Sequence, residues 1–430
     1  MTPGARIATV IEALTTLIEL EWHSEQLLSK FFRKRRFIGA KDRREISRLT
    51  FNVLRHYARL SWWTKNGSPR LLTIASLALV DGYSCDAISQ LFNNSKYAPK
   101  HLSSFELEFL RKVDGQTINN STMQEWDLNE VPKWLLQELK ATWPSNFVAQ
   151  MAALNQPAPL DLRVNLKKTC RENIIKLLEN DGIIATPTPF SPAGLRIEKR
   201  TNLYNTLAYT GGYVEVQDEG SQLIALLVDP KPNQTIIDLC SGGGGKTLSI
   251  ATTSKHRGTL IACDVDAEKL KRAKIRYKRA GVENITQKAI TGSSDPWLSA
   301  LARSANRVLL DVPCSRTGIW RRSPIAKWSL TPVEVGKYIE QQLNILEYGS
   351  RLVGVGGRLI YATCSILSRE NEDQIKLFLK QNPQFSLIPI CKVWDEVFNS
   401  QCPSSDPFLN LTPETHNTDG FFCAIMERLD

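Results

Sequence analysis

The chain has 430 residues, 42% of them hydrophobic and 23% charged, and that length exceeds what one hydrophobic core usually serves, so two or three domains are expected. No apolar run approaches the length of a membrane span, Glu12 and Glu19 interrupt the apolar pattern where a signal peptide would be uniform, and the nine cysteines include no Cys-x-x-Cys pair; the expectation is a soluble cytoplasmic protein with neither a disulfide framework nor a metal site. A net charge of +10 points to a polyanionic partner, since such a field attracts phosphate backbones.

Ile7, Val10, Ile11, Leu14, Leu17 and Ile18 recur at helical spacing, as do Ile46, Leu49, Val53, Leu54, Tyr57 and Leu60, and Leu71–Val80 is a further apolar helix. No strand alternation interrupts them before about residue 115, so residues 1–128 are expected to form an all-α domain. Between two of its helices, Lys30 to Arg44 holds eight basic residues in fifteen, opposed only by Asp42. A polar stretch from Asp114 to Thr122 reads as a linker. Val131–Pro144 reads as a helix stopped by Pro144, and Pro159–Thr169 as a strand and turn. Thr169-Cys170-Arg171-Glu172 fits a capping box for a helix running to about Asn180. With a strand at Tyr213–Val216 and an apolar helix ending near Asp229-Pro230, residues 129–228 make a small α+β subdomain.

From residue 233 strands alternate with helices, the rhythm of a doubly wound parallel sheet, with strands expected at Thr235–Leu239, Thr259–Cys263, Val308–Leu310 and Arg358–Ala362. Residues 229–430 are therefore expected to form an α/β Rossmann-like domain, within which Lys269 to Arg279 is a second basic cluster, seven residues in eleven. Ligands of such sheets bind beyond the carboxyl ends of the strands. The first strand runs into Cys240-Ser241-Gly242-Gly243-Gly244-Gly245-Lys246-Thr247, where backbone can approach a ligand closely. A Walker A loop would need glycine at Cys240, although Val308–Asp311 could imitate its partner strand; the dinucleotide pattern would need glycine at Thr247. The second strand ends in Asp264-Val265-Asp266, where a carboxylate can accept ribose hydroxyls. Loop and acid together suit S-adenosylmethionine as well as a dinucleotide, and spacing does not choose between them.

Two thiols complete the pattern. Asp311-Val312-Pro313-Cys314-Ser315 follows one strand and Cys364-Ser365 another. One cysteine at a strand end is ordinary, because free cysteine is among the most buried residue types. Two that converge on one crevice beside Asp311 form a catalytic constellation. Arg321 and Arg322 are candidate phosphate contacts.

Asp238–Thr247, Asp311–Gly318 and Tyr361–Ser365 resemble the motifs of RNA 5-methylcytosine methyltransferases, the RsmB/NOP family. Leu162–Asn165, Val216-Gln217-Asp218 and the closing Asp419-Gly420-Phe421-Phe422 extend the resemblance, and the segment from Gly39 is similar to the NusB-type RNA-binding domain of members acting on small-subunit ribosomal RNA. The resemblance implies three parts: a NusB-like helical domain (1–128), a small RRM-like α+β subdomain (129–228) and a methyltransferase domain (229–430). It also implies S-adenosylmethionine as cofactor, 16S rRNA or its precursor as partner, and a monomer needing no metal and no membrane. Cys364 would be the nucleophile at cytosine C6, Asp311 would hydrogen-bond the base near N3, and Cys314 would help remove the C5 proton. Cys240, Ser241, Gly242, Gly243, Gly244, Gly245, Lys246, Asp264 and Asp311 would lie along the cofactor. Three departures stand out: Ser241-Gly242-Gly243 replaces the usual Ala-Ala-Pro, Arg316 replaces a glycine, and Lys288-Ala289-Ile290 lacks the acid that usually meets adenine. A transfer-RNA methyltransferase and a nucleotide-hydrolysing RNA-binding protein are the alternatives.

Overall fold

The helical spacing of the first segment becomes the helix Pro3–Glu19 in the computed structural model, which describes residues 1–19, 27–65, 67–198, 201–253, 258–292 and 295–430. Further helices follow at Leu27–Lys34, Ala40–Arg55, Tyr57–Thr64, Pro69–Leu79, Cys85–Leu91 and Ser104–Val113. Their starts are written locally. The Ser68 side chain accepts from Leu71 N–H with Pro69 in the first turn, and Ser103 with Glu106 forms a full capping box. Val10, Leu14, Ile46, Val53, Leu60, Ile74 and Ile88 meet in one buried core. Among the described residues no helix is long and apolar enough to cross a membrane.

The chain divides into two compact units, Met1–Gln156 with Trp320–Thr331, and Pro157–Ile319 with Pro332–Asp430. In the first unit the late segment is an integral part. Ile325 joins the helical core, Trp328 Nε1 donates to the Leu54 carbonyl at 2.8 Å, and Arg55 donates to the Arg321 carbonyl at 2.6 Å. Arg321 is only 3% exposed, so it is not the free phosphate contact the sequence suggests. The Asp114–Thr122 stretch is likewise no linker: Trp63 Nε1 donates to the Ile118 carbonyl at 2.9 Å and Arg59 to Asn119 Oδ1 at 2.7 Å, which fastens it to the helices. Within the basic stretch, Arg35 pairs with Glu12, Arg43 donates to the Ile38 carbonyl, and Asp42 holds Arg6 and the amino terminus. Lys30, Arg33, Lys34, Arg36, Lys41 and Arg44 remain exposed.

The second unit carries two sheets. Strands β1 (Leu160–Val164), β2 (Thr186–Pro187), β3 (Gly194–Ile197) and β4 (Val214–Val216) form an antiparallel sheet in the order β2-β3-β1-β4. Its helix, Arg171–Asn180, starts after Cys170 with no side-chain cap, which corrects the expected box at Thr169; Thr169 N–H instead closes a turn onto the Asn165 carbonyl.

The larger sheet contains β5 (Thr235–Asp238), β6 (Thr259–Asp264), β7 (Ile285–Ala289), β8 (Ala305–Asp311), β9 (Val353–Thr363), β10 (Phe385–Ile388), β11 (Leu409–Leu411) and β12 (Phe421–Arg428). The order is β10-β12-β9-β8-β5-β6-β7, with β11 also paired to β12. β5 to β9 run parallel as expected, but β12 pairs antiparallel with β9, β10 and β11, so the sheet is mixed. Period-two alternation serves two cores: Ile236, Leu309 and Ile360 face one, Ile237, Val308, Leu310 and Tyr361 the other. Parallel register aligns the ends of β8 and β9, with Asp311 opposite Ala362.

The break between Ala40–Arg55 and Tyr57–Thr64 falls at His56, whose Nδ1 lies 2.9 Å from the Asn52 carbonyl. Burial, reinforced by Arg59, Lys327 and Arg55, pushes this imidazole down to about 4. The unfolded chain holds that proton up to about pH 6.5, so His56 favours the fold fully above that pH and less as pH falls towards 4. Thermal melts at pH 7.5 and 5 should show an acid-side loss of about 2 kcal/mol, and His56→Gln should remove most of the difference.

Candidate active site

Both candidate thiols lie just beyond the carboxyl ends of adjacent parallel strands, as this sheet class demands of a ligand site. Cys314 Sγ and Cys364 Sγ are 3.4 Å apart. Backbone bonds hold the two turns together: Val312 N–H donates to the Ala362 carbonyl at 3.1 Å and Gly318 N–H to the Cys364 carbonyl at 2.9 Å. Gly318 has to be glycine, because a Cβ there would lie 2.1 Å from the backbone oxygen of Gly420. Gly420 N–H closes the contact onto the Gly318 carbonyl at 2.8 Å, and this gives the Asp419–Phe422 motif its role.

The turns also converge on a carboxylate that sequence reading missed. Glu370 is fully buried. Its Oε1 accepts from Ser315 N–H at 2.8 Å and Gln342 Nε2 at 2.9 Å, and its Oε2 accepts from the Ser315 hydroxyl and from Ser365 Oγ at 2.5 Å. The residue following each cysteine is thus tied to the same acid. Asn371 extends the bracket, donating to the Ser365 carbonyl at 2.9 Å and accepting from Thr363 Oγ1 at 2.6 Å. The available signal was an acid six residues after Cys364, just beyond the apolar pair Ile366-Leu367.

Lys246 Nζ donates to Asp311 Oδ2 at 2.7 Å. The lysine is 8% exposed, and burial alone would lower its pKa; Asp311, with further contributions from Cys364 and Asp238, outweighs burial and raises it. A positive charge therefore persists in a dry place among groups that carry or can acquire negative charge. Thr247 Oγ1 donates to Asp238 Oδ2 at 2.6 Å. These ties commit the lysine and threonine that a Walker A loop would direct at a phosphate and Mg²⁺. Cys314 is pushed well upward, first by the sulfur of Cys364 and then by burial, so it keeps its proton at neutral pH.

The glycine loop is held from three sides. Ser241 N–H donates to the Cys263 carbonyl at 2.8 Å, and Gly242 N–H to Asp264 Oδ2 at 2.7 Å. Arg163 on β1 donates to the Gly245 carbonyl at 2.9 Å, and Arg276 to the Gly243 carbonyl at 2.6 Å. Gly244 has φ +75° and sits against Tyr277, whose hydroxyl would lie 2.3 Å from an added Cβ. The basic cluster Lys269–Arg279 is thus only partly a surface for anions: Arg276 and Arg279 both pair with Glu215, and Lys271 pairs with Glu268.

Cys240, Gly242, Asp264, Asp311, Cys314 and Cys364 share one cavity of about 490 Å³. Lys246 reaches it only through Asp311; Ser241, Gly243, Gly244 and Gly245 shape the loop behind it. Asp264 stands at the end of β6, where its oxygens accept from the amides of Gly242 and Asp266 and keep acceptor capacity in reserve. Asp266 instead caps its helix through Glu268 and Lys269 N–H. In place of an acid beyond β7 the cavity wall offers Ile290 and Gly292, while Asp295 is spent accepting from Thr291 and Trp297 N–H. Size and lining fit an adenosine-bearing ligand: the volume is within the usual ~300–1,000 Å³, Asp264 accepts hydroxyls, and Val265 and Ile290 give apolar cover to a purine. Arg316, also in the wall, has φ +59°, the left-handed conformation that suits the glycine it replaces.

Removing the buried acid should cost more than any surface change. Glu370→Ala strands the Ser315 amide and takes one acceptor each from the two serine hydroxyls and Gln342 Nε2, so a loss of about 3–5 kcal/mol is expected in denaturant unfolding. A variant within about 1 kcal/mol of the parent protein would show that the two turns are held otherwise.

Comparison with known proteins agrees with this architecture. Residues 225–427 match the family described as 16S rRNA methyltransferase RsmB/F, and residues 131–204 match the ferredoxin-like domain of RsmF/B-like methyltransferases. The chain is 34% identical over 261 residues to a probable ribosomal RNA small subunit methyltransferase B from Coxiella burnetii, a match covering 60% of each chain. It is 34% identical to the Sodalis glossinidius methyltransferase B, over 69% of this chain and 65% of that protein. The match to the Salmonella agona methyltransferase B is 30% identical over 411 residues, 90% of this chain and 91% of the relative. Among solved structures, PH0851 superposes with a TM-score of 0.80 at 26% identity, covering 100% of this chain and 99% of its own. NSun6 from Pyrococcus horikoshii, solved with SFG, shares the fold with a TM-score of 0.62 at 20% identity, covering 70% of this chain and all of its own. Methyltransferases of this kind use S-adenosylmethionine, which the cavity just described fits. On the near full-length match, the chain belongs to the RsmB/F family of 16S rRNA methyltransferases.

Proposed function

We propose that this protein methylates C5 of a cytosine in 16S rRNA, through a covalent bond between Cys364 and C6 of the base. The observation that carries the reading is the pair of sulfurs 3.4 Å apart beside the Lys246–Asp311 ion pair, in a cavity with Asp264. In this reading the helical segment (1–128) binds RNA, the small α+β segment (129–228) braces the glycine loop, and residues 229–430 hold the chemistry. The protein works in the cytoplasm as a monomer, without metal or membrane.

S-adenosylmethionine, when bound along Cys240–Lys246 and Asp264, supplies an electrophilic methyl group. Cys364 attacks C6 as the thiolate, since a free thiol near pKa 8.5 is only a few per cent ionised at neutral pH and needs help. The buried ammonium of Lys246, whose own pKa the Cys364 sulfur helps to raise, is the cation that this site offers. Attack pushes electrons through the ring and makes C5 nucleophilic. Asp311 is assigned to N3 of the base, and the proton that Lys246 donates towards it is the one that offsets the negative charge the ring acquires. Methyl transfer leaves one proton too many on C5. Cys314 removes it, and the electron pair then expels Cys364. The same contact that holds Cys314 protonated at rest makes this possible: once Cys364 is bonded to carbon it no longer raises its neighbour, so Cys314 gives its own proton to solvent and as the thiolate takes the one on C5. The target base must be unpaired or pulled from its stack, at a cost of a few kcal/mol that RNA contacts offset.

The test incubates each cysteine variant with labelled S-adenosylmethionine and small-subunit RNA, then runs a denaturing gel. Cys364→Ala is expected neither to methylate nor to attach to RNA. Cys314→Ala is expected to accumulate a protein–RNA adduct with little turnover. The reverse pattern overturns the assignment of roles, and saturable binding of ATP without binding of S-adenosylmethionine overturns the reaction.

A further inference from the structure

The first unit contains a cavity of about 1040 Å³ whose lining includes none of the exposed basic residues of Lys30–Arg44. Its walls hold Tyr57, Trp62, Trp63, Trp126 and Trp328. Aromatic residues in a helical module usually fill its core, and Tyr57 and Trp63 do lie against that core. Trp62, Trp126 and Trp328 are outside the core cluster, half-buried, and face the cavity.

The rings are braced as rigid surfaces. Trp63 and Trp328 are pinned at the indole N–H by the Ile118 and Leu54 carbonyls, at 2.9 and 2.8 Å. Trp62 stands edge-on to Trp63 with centroids 5.1 Å apart, and Tyr57 leans on Trp328 at 5.2 Å. The charge in the walls is mostly positive. Lys133 Nζ lies 4.8 Å from the centre of the Trp126 ring, and Lys65 and Lys112 are exposed at the same cavity. Among the described residues the single acid in the lining, Asp127, accepts from Gln124 N–H to cap its own helix turn. Ser61 Oγ in the same wall is buried with no hydrogen-bond partner among the described residues.

Apolar ring faces combined with ammonium groups have a specific complement: a heterocycle that stacks, joined to a phosphate that pairs. Stacking of this kind tolerates any base and is worth roughly five- to 150-fold in affinity per base. The volume, just above the usual ~300–1,000 Å³ range, has room for more than one base. We infer that this cavity is a second RNA site, which takes unpaired nucleotides of the substrate with bases on Trp62 and Trp126 and phosphates on Lys65, Lys112 and Lys133. It rests on the reading of the protein as an RNA methyltransferase, and gives the helical unit a pocket for single strands in addition to a charged surface.

The test uses the full chain and a fluorescein-labelled eight-nucleotide oligouridylate, with affinity read by anisotropy across a salt series. Trp62→Ala and Trp126→Ala are expected to weaken binding at least tenfold with an unchanged salt slope, while Trp126→Phe stays within threefold. Lys133→Gln is expected to lower the slope by about 0.7, the value for one phosphate contact on a single strand. Thermal melts and labelled S-adenosylmethionine binding should match the parent protein in each case. Folded alanine variants that bind the oligonucleotide as tightly as the parent overturn the site. So does a loss of self-association in sedimentation with RNA affinity unchanged, which would make the cavity an interface between copies. The two readings fail separately: normal methyl transfer with no effect of the tryptophans sinks only the cavity, and tryptophan-dependent RNA binding without methyl transfer from S-adenosylmethionine sinks only the reaction.

Discussion

A single buried carboxylate sets the geometry of the candidate site. Cys314 and Cys364 are fifty residues apart and sit on turns after different strands, and turns of that kind are where a chain is most free to vary. Glu370 removes the freedom by accepting hydrogen bonds from Ser315 and Ser365, the residues next to each cysteine. A buried acid is costly unless its acceptor sites are filled, and here four protein donors fill them. The Gly318–Gly420 contact adds a steric limit, since a Cβ on either residue would collide with the backbone of the other. What places the sulfurs is therefore a bracket of hydrogen bonds behind them.

A second constraint is electrostatic. Asp238, Asp264 and Asp311 lie near the ends of neighbouring parallel strands, and their mutual repulsion has to be managed in a dry space. Burial, and less so Asp311 and Asp264, pushes Asp238 up to about 7, where Thr247 still satisfies one of its oxygens. Asp264 is held by two amides and Asp311 by Lys246. Each acid thus has a different remedy within one site. In the proposed reaction that division matters, because it leaves a cation near the thiol that must ionise and a proton on the thiol that must wait.

The positive charge of the chain likewise divides by role. Arg163 and Arg276 spend their guanidinium groups on carbonyls of the glycine loop, and Arg55 spends its own on the Arg321 carbonyl. Arginine suits this work, since a planar fork of donors can bridge backbone and carboxylate together. Lysines make up most of the charge left facing solvent around the second cavity. A net charge of +10 thus exceeds no structural need by itself; its distribution between internal braces and open surfaces carries the information.

The sequence by itself determined the parts whose signals are local. Helical periodicity, the Ser103–Glu106 box, the β5 to β9 rhythm and the chemistry-bearing motifs at strand ends are all patterns within a few residues, and Asp311, Cys314 and Cys364 lay where parallel-sheet logic put them. Only the tertiary structure decided what depended on distant partners. The antiparallel pairing of β12 beside β9 has no local signature, because an apolar strand reads alike in either direction. The loss of Arg321 from the candidate phosphate contacts follows from Trp320–Thr331 packing in the helical unit, which charge counting cannot see. The Asp114–Thr122 stretch is polar in composition yet fastened by Trp63 and Arg59. Glu370 was one acid among many until folding put two cysteine turns within hydrogen-bond reach of it. Residue type and spacing announce which groups can do chemistry; which of them are braced, spent or left open is settled by contacts between residues far apart in the chain.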